Sequence, residues 1–163
     1  NVDMDEYQRA DTSTVLFTQG VSGCTAVAAG FPGRFAYMAH ISPYDVIYNE
    51  DRTDLMAQVL HRIYRLDITP AERSELNFYI MSTQAKSIKN LIHTLLSNGG
   101  FLSQIKCMYR PSADYGNMYY DTRNNRIIVN WKIHPENDTF TTSDFSEIAD
   151  MEKLLIRSDH SLL

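Results

Sequence analysis

Cysteine is scarce in this chain of 163 residues, which carries only two, at 24 and 107. Thiols that far apart build no disulfide framework and fit a reducing compartment better than an oxidising one. Long apolar runs are also missing. Nothing approaches the roughly 18 consecutive apolar residues of a spanning helix, so no membrane partner is expected. Surplus positive charge is lacking too: 15 Lys and Arg face 20 Asp and Glu, a net charge of -5. Phosphate binding needs a basic footprint, so nucleic acid is not an expected partner. There is no internal repeat, low-complexity segment or linker-like stretch, and residues 1–163 read as a single domain. Residues 1–14 are acidic and polar with no apolar h-region, so no secretory signal peptide is expected. A chain opening on Asn1 rather than Met is expected to be processed or excised from something longer.

What the chain does have is an apolar fraction of 44% and a charged fraction of 21%, ordinary for a globular domain. Thr14–Thr18 is β-branched and aromatic and reads as a short strand. Cys24–Ala29 and Arg34–Ile41 read as two strands around a Gly-Phe-Pro-Gly turn at 30–33. A helix is expected over 51–66, with Leu55, Met56, Val59, Leu60 and Ile63 as its apolar stripe. Glu75–Met81 reads as a strand. A second helix starts near Ser82 or Thr83, runs to about Ser97, and is closed by Gly99-Gly100. Ser103–Tyr109 is a further strand, and 117–133 a hairpin turning at Asn124-Asn125. Residues 143–156 have helical spacing. Strands outnumber helices and do not alternate with them, so the class is α+β.

Chemistry concentrates between Thr18 and His40. A hairpin turning about Pro32 pairs residues whose numbers sum to 64, which sets Cys24 opposite His40. Opposed side chains share one face with Cβ atoms about 4.5–5.5 Å apart. A thiol becomes a nucleophile when it loses its proton, and an adjacent imidazole can take it. The imidazole then needs a third group on its other nitrogen. The local motif holds no Asp or Glu for that task; Thr18, on the neighbouring strand, offers a hydroxyl or a backbone carbonyl. Gly20 and Gly23 allow a sharp bend before Cys24, where the N–H of Cys24 and that of Ser22 or Gly23 could form an oxyanion hole.

Thr18-x-Gly20-x-x-x-Cys24, followed by a His closing an apolar strand, resembles the CheD chemoreceptor deamidases. It is also similar to the bacterial toxin deamidases, the cytotoxic necrotizing factors and Burkholderia lethal factor, which carry Leu-Ser-Gly-Cys. Here the motif is Val21-Ser22-Gly23-Cys24, nearer the toxin version, and Phe35–Ala39 stands where CheD has a Gly-rich segment. The likeness covers residues 14–42. It implies a β-sandwich-like core of mostly antiparallel strands flanked by helices. It also implies a cysteine-dependent protein-glutamine deamidase with Cys24, His40 and Thr18 as its site, no cofactor, and a substrate protein as partner. A toxin or effector of this kind would act as a monomer, made in the bacterial cytoplasm and secreted or delivered to the host cytosol. The alternatives are a CheD-like chemoreceptor deamidase and a non-catalytic binding domain of the same fold.

The remaining candidates carry less. Cys107 reads as a buried strand residue. His61 and His93 fall on polar helix faces, His134 precedes Pro135, and His160 is in the tail. No His, Cys and carboxylate set has zinc-ligand spacing, so no metal is expected, and Gly20-Val-Ser-Gly23 lacks a P-loop lysine, so no phosphate loop is expected either. Tyr109, Tyr115, Tyr119 and Tyr120 form an aromatic group, read first as sheet packing and second as a substrate-protein groove.

Overall fold

In the computed structural model, residues 1–43, 54–133 and 136–150 are described. Strands β1 (Glu6–Ala10), β2 (Val15–Val21), β3 (Thr25–Phe31) and β4 (Phe35–Ile41) come first. Helix α1 (Asp54–Arg62) runs into a π turn (Ile63–Asp67) and a 3-10 turn (Pro70–Glu75). Then follow β5 (Asn77–Ser82), α2 (Ala85–Ser97), β6 (Ile105–Tyr109), β7 (Tyr115–Asp121), β8 (Arg126–Ile133), β9 (Glu136–Thr141) and β10 (Ser146–Glu147). A six-stranded sheet has the order β1-β4-β3-β5-β6-β10, and a four-stranded sheet the order β2-β7-β8-β9. All pairs are antiparallel except β5 with β6. The class is α+β: a sandwich with helices on one outer face.

Two cores follow from this layering. Val27, Ala29 and Phe31 of β3 and Phe35, Tyr37, Ala39 and Ile41 of β4 meet the helices, which bring Met56, Val59, Leu60, Ile88, Leu91, Ile92 and Leu95. The opposite faces, with Ala26, Ala28, Ala36 and Met38, meet Met118, Tyr120, Ile127, Val129 and Trp131 of the four-stranded sheet. A strand covered on both sides reads as an unbroken apolar run, as β3 does. The two inner faces are unequal. Small residues on β3 and β4 leave room for the large side chains opposite.

Gly30 marks the tightest point of that interface. A Cβ there would lie 2.1 Å from the Tyr120 hydroxyl oxygen, whose hydrogen donates to Asn125 Oδ1 at 2.6 Å. Gly30→Ala is therefore expected to cost about 1–3 kcal/mol, the usual range for overpacking. A lowered urea midpoint, partly restored by adding Tyr120→Phe, is the expected reading; an unchanged midpoint would contradict the tight packing.

Several expected elements shift. The Pro32-Gly33-Arg34 loop has Gly33 at φ +78°, and Phe31 pairs with Phe35, so the hairpin centres on Gly33 rather than Pro32. Ser82 and Thr83 precede α2, which begins at Ala85; Ser82 Oγ accepts from Gln84 N at 2.9 Å. Gly99 at φ +89° and a Gly100 N–H bond to Leu95 O (2.9 Å) close that helix as expected. The expected tail helix is corrected in its first part: Thr142–Asp144 is a 3-10 turn and Ser146–Glu147 pairs with β6, while residues 148–150 are helical. Residues 151–156 of that expectation, and 51–53 of the first helix, lie outside the described residues. Among the described residues, no helix is long and apolar enough to cross a membrane.

Candidate active site

The chain leaves the four-stranded sheet at Val21 and enters the six-stranded one at Thr25, so Cys24 sits on the crossing between them. Two departures from regular strand geometry make the crossing. A register shift separates Thr18 from Val21, and Gly20 and Gly23 take φ +70° and +71°, where a side chain is strained. Asn117 Oδ1 holds the Gly20 N–H at 3.0 Å. The bend has the shape expected from the glycines.

His40 is not directly opposite Cys24. Ala26 is its partner, and paired residues sum to 66, because the three-residue loop moves the centre by one. Cys24 lies two residues before Ala26 in sequence. The even offset keeps the thiol on the His40 face, as a diagonal rather than a direct neighbour. Both side chains line one cleft of about 410 Å³, walled by Asn1–Met4, Gln19, Gly20 and Ser22.

Thr18 completes the arrangement from the other sheet. Its Oγ1 lies 2.6 Å from Val2 O and 2.7 Å from His40 Nδ1, and all of this is buried. A hydroxyl has one hydrogen, and a carbonyl only accepts. The Thr18 hydrogen therefore goes to Val2 O, and His40 Nδ1–H must donate to Thr18 Oγ1. The neutral imidazole is thereby held with Nε2 bare, the form that accepts a proton. Val2 is itself anchored, its N–H donating to Phe17 O at 2.8 Å.

Burial sets the protonation states. The Cys24 thiol is 6% exposed, and desolvation first, then the Asp5 charge, pushes it above its ordinary value. Desolvation lowers His40, and the Asp5 and Asp3 carboxylates only partly offset it. At neutral pH the resting pair is a thiol and a neutral imidazole. The unfolded chain binds a proton at His40 near 6.5, while the folded chain resists until lower pH. Between those values the unfolded state holds more protons, so stability falls as pH drops below about 6.5. Urea midpoints across pH 7 to 5 should decline in the native chain and decline less in His40→Gln; parallel curves would assign the loss elsewhere.

The proposed oxyanion donors are unequal. Ser22 lines the cleft, whereas Gly23 N–H already donates to Thr83 Oγ1, at a long 3.3 Å. The other candidates fall outside the site. Cys107 is fully buried on the helix side, with its thiol pushed strongly up. His61 Nε2 meets Arg65 Nη1 at 3.2 Å, and His134 and His160 lie outside the described residues. Tyr120 is core, and Tyr119 stacks on Phe17 with ring centroids 6.0 Å apart. Among the described residues no group of three or more His, Cys, Asp or Glu could hold a metal ion.

Val2 and Asp5 belong to the site and were not foreseen. Val2 acts through its carbonyl, which no side-chain motif records. Asp5 lies in an acidic stretch with no motif to mark it. No family model matches the chain, and neither does any curated protein.

Proposed function

We propose that this chain is a protein-glutamine deamidase, a bacterial toxin or effector that converts a glutamine of a host protein to glutamate. The observation that carries this reading is the Val2–Thr18–His40 hydrogen-bond relay, which leaves Nε2 bare beside a cleft shared with Cys24. The resemblance of Thr18, Cys24 and His40 to the deamidase motif supports the same reaction.

The steps follow from the resting states. As the Cys24 sulfur attacks the carboxamide carbon, its proton passes to His40 Nε2 and the carbonyl electron pair moves to oxygen. The backbone N–H groups of Ser22 and Cys24 stabilise that oxygen. Collapse expels the nitrogen, which takes the imidazolium proton and leaves as ammonia. Water, deprotonated by His40, then opens the thioester to give glutamate and free thiol. No cofactor enters any step. The product differs by one negative charge and one lost amide donor, enough to disable a catalytic glutamine or an interface. The chain would work as a monomer in the host cytosol after delivery from the bacterium.

The competing reading is a binding module, and the protonated resting thiol favours it. Peptide mapping of host-lysate proteins treated with the active chain or its Cys24→Ser form separates the two. A glutamine peptide gaining the mass of OH for NH₂ only with the active chain supports the deamidase. Identical maps favour the module.

A further inference from the structure

We propose that Asp5 is the positioning residue that supplies the counter-charge to the His40 imidazolium during turnover. Its catalytic consequence rests on the deamidase reading, while its effect on the two side chains does not.

The backbone fixes where this carboxylate lies. Asp5 N–H donates to His40 O at 2.6 Å, and Asp5 Oδ1 accepts from Ser42 N–H at 3.0 Å. The residue holds φ +60°, a left-handed conformation that Asp tolerates better than most side chains. Ser42 stands two residues beyond His40, just past the end of β4 and one past the last pair, Thr25 with Ile41. The strand end that carries the carboxylate is thus where Cys24 and His40 both sit, about one two-residue strand repeat (~7 Å) away.

Other titratable groups face His40 from its neighbours. Asp3 and Asp5 come from the N-terminal segment, Glu6 pairs with His40 from β1, and Cys24 comes from the crossing before β3, while β2 presents the neutral Thr18. Asp3 and Glu6 are exposed, and Asp3 Oδ1 is engaged by Asn1 Nδ2 at 2.8 Å. Asp5 is exposed as well, but its carboxylate is pinned by the Ser42 N–H just past β4. It acts on both reacting groups, raising the thiol and the imidazole alike.

That double action has a direction in time. Before attack, the carboxylate opposes thiolate formation. Once the C–S bond forms, the sulfur is neutral and the negative charge has moved to the amide oxygen. The imidazolium then has no thiolate beside it and keeps the attraction of the carboxylate. Asp5 quiets the resting thiol and assists the intermediate.

Asp5→Asn tests this, because Asn keeps an acceptor for Ser42 N–H and tolerates positive φ while losing the charge. Two readings need no substrate. Iodoacetamide labelling of Cys24 at pH 7.5 should rise about threefold, and the His40 pKa, followed by NMR and assigned against His40→Gln, should fall by roughly half a unit. Both changes should shrink in 1 M salt. Ammonia release from a blocked glutamine dipeptide should fall severalfold. Screening by salt and the fall in the His40 pKa are the signature, since a loosened site would raise labelling of the buried thiol at any salt and, by exposing the imidazole, raise its pKa. Should Asp5→Asn not fold, Asp5→Gly accepts the same φ and the same readings decide. Unchanged labelling and unchanged His40 titration would overturn the proposal. If both shift but the native chain releases no ammonia, Asp5 keeps its electrostatic role and the deamidase reading falls.

Discussion

Cys24→Ser is expected to lower glutamine turnover more than about 10⁴-fold while leaving the fold intact. The hydroxyl replaces the thiol at a cleft-facing position, so packing changes little. Its proton is far harder to remove. His40 is a weakened base, because burial already lowers it, and the mismatch with an alcohol is wider than with a thiol. Thioester chemistry is lost as well, so no acyl-enzyme should accumulate when the chain is mixed with a glutamine peptide and analysed by intact mass. Circular dichroism and the urea midpoint should match the native chain. Turnover within tenfold of native would rule out Cys24 as nucleophile.

Thr18→Val should lower kcat by about 10²- to 10³-fold with little change in KM, since Thr18 touches His40 and not the substrate. Valine fills nearly the same volume but offers His40 Nδ1–H no acceptor and Val2 O no donor. The imidazole is then free to turn or to adopt the tautomer with Nε2 protonated, which cannot act as base. Leaving the Val2 carbonyl and the Nδ1–H buried without partners should cost about 1–3 kcal/mol each, visible in the urea midpoint. Thr18→Ser restores a hydroxyl and should recover most of the rate. A Val variant that is destabilised but has native kcat would show that Thr18 supports the fold alone.

The sequence made Thr18, Cys24 and His40 visible because each carries its role in a side chain of distinctive chemistry, and because period-two alternation conserves faces. The same alternation let the register be wrong by two without moving either residue to the other face. That error came from the loop: Gly33, not Pro32, takes the positive φ, and turn geometry fixes register. β1 went unread because Glu-Tyr-Gln-Arg is polar at an edge, and the helical spacing misled over 143–147 because Phe145 is buried against Tyr79 rather than on a helix stripe. Val2 and Asp5 were illegible for a deeper reason. Their contribution depends on where the backbone of residues 1–5 is carried, which only the tertiary fold decides.

The site is divided between the two sheets. Thr18 belongs to the four-stranded sheet, Cys24 lies at the crossing, and His40 belongs to the six-stranded sheet. A small sliding displacement of one sheet over the other would part the hydroxyl from the imidazole before any strand lost its ladder. On the deamidase reading, activity would be a strain gauge for the sandwich interface, read at the end where Thr18 and His40 share a hydrogen-bond relay. The alanine- and glycine-lined face that lets the sheets lie close holds that gauge at its zero.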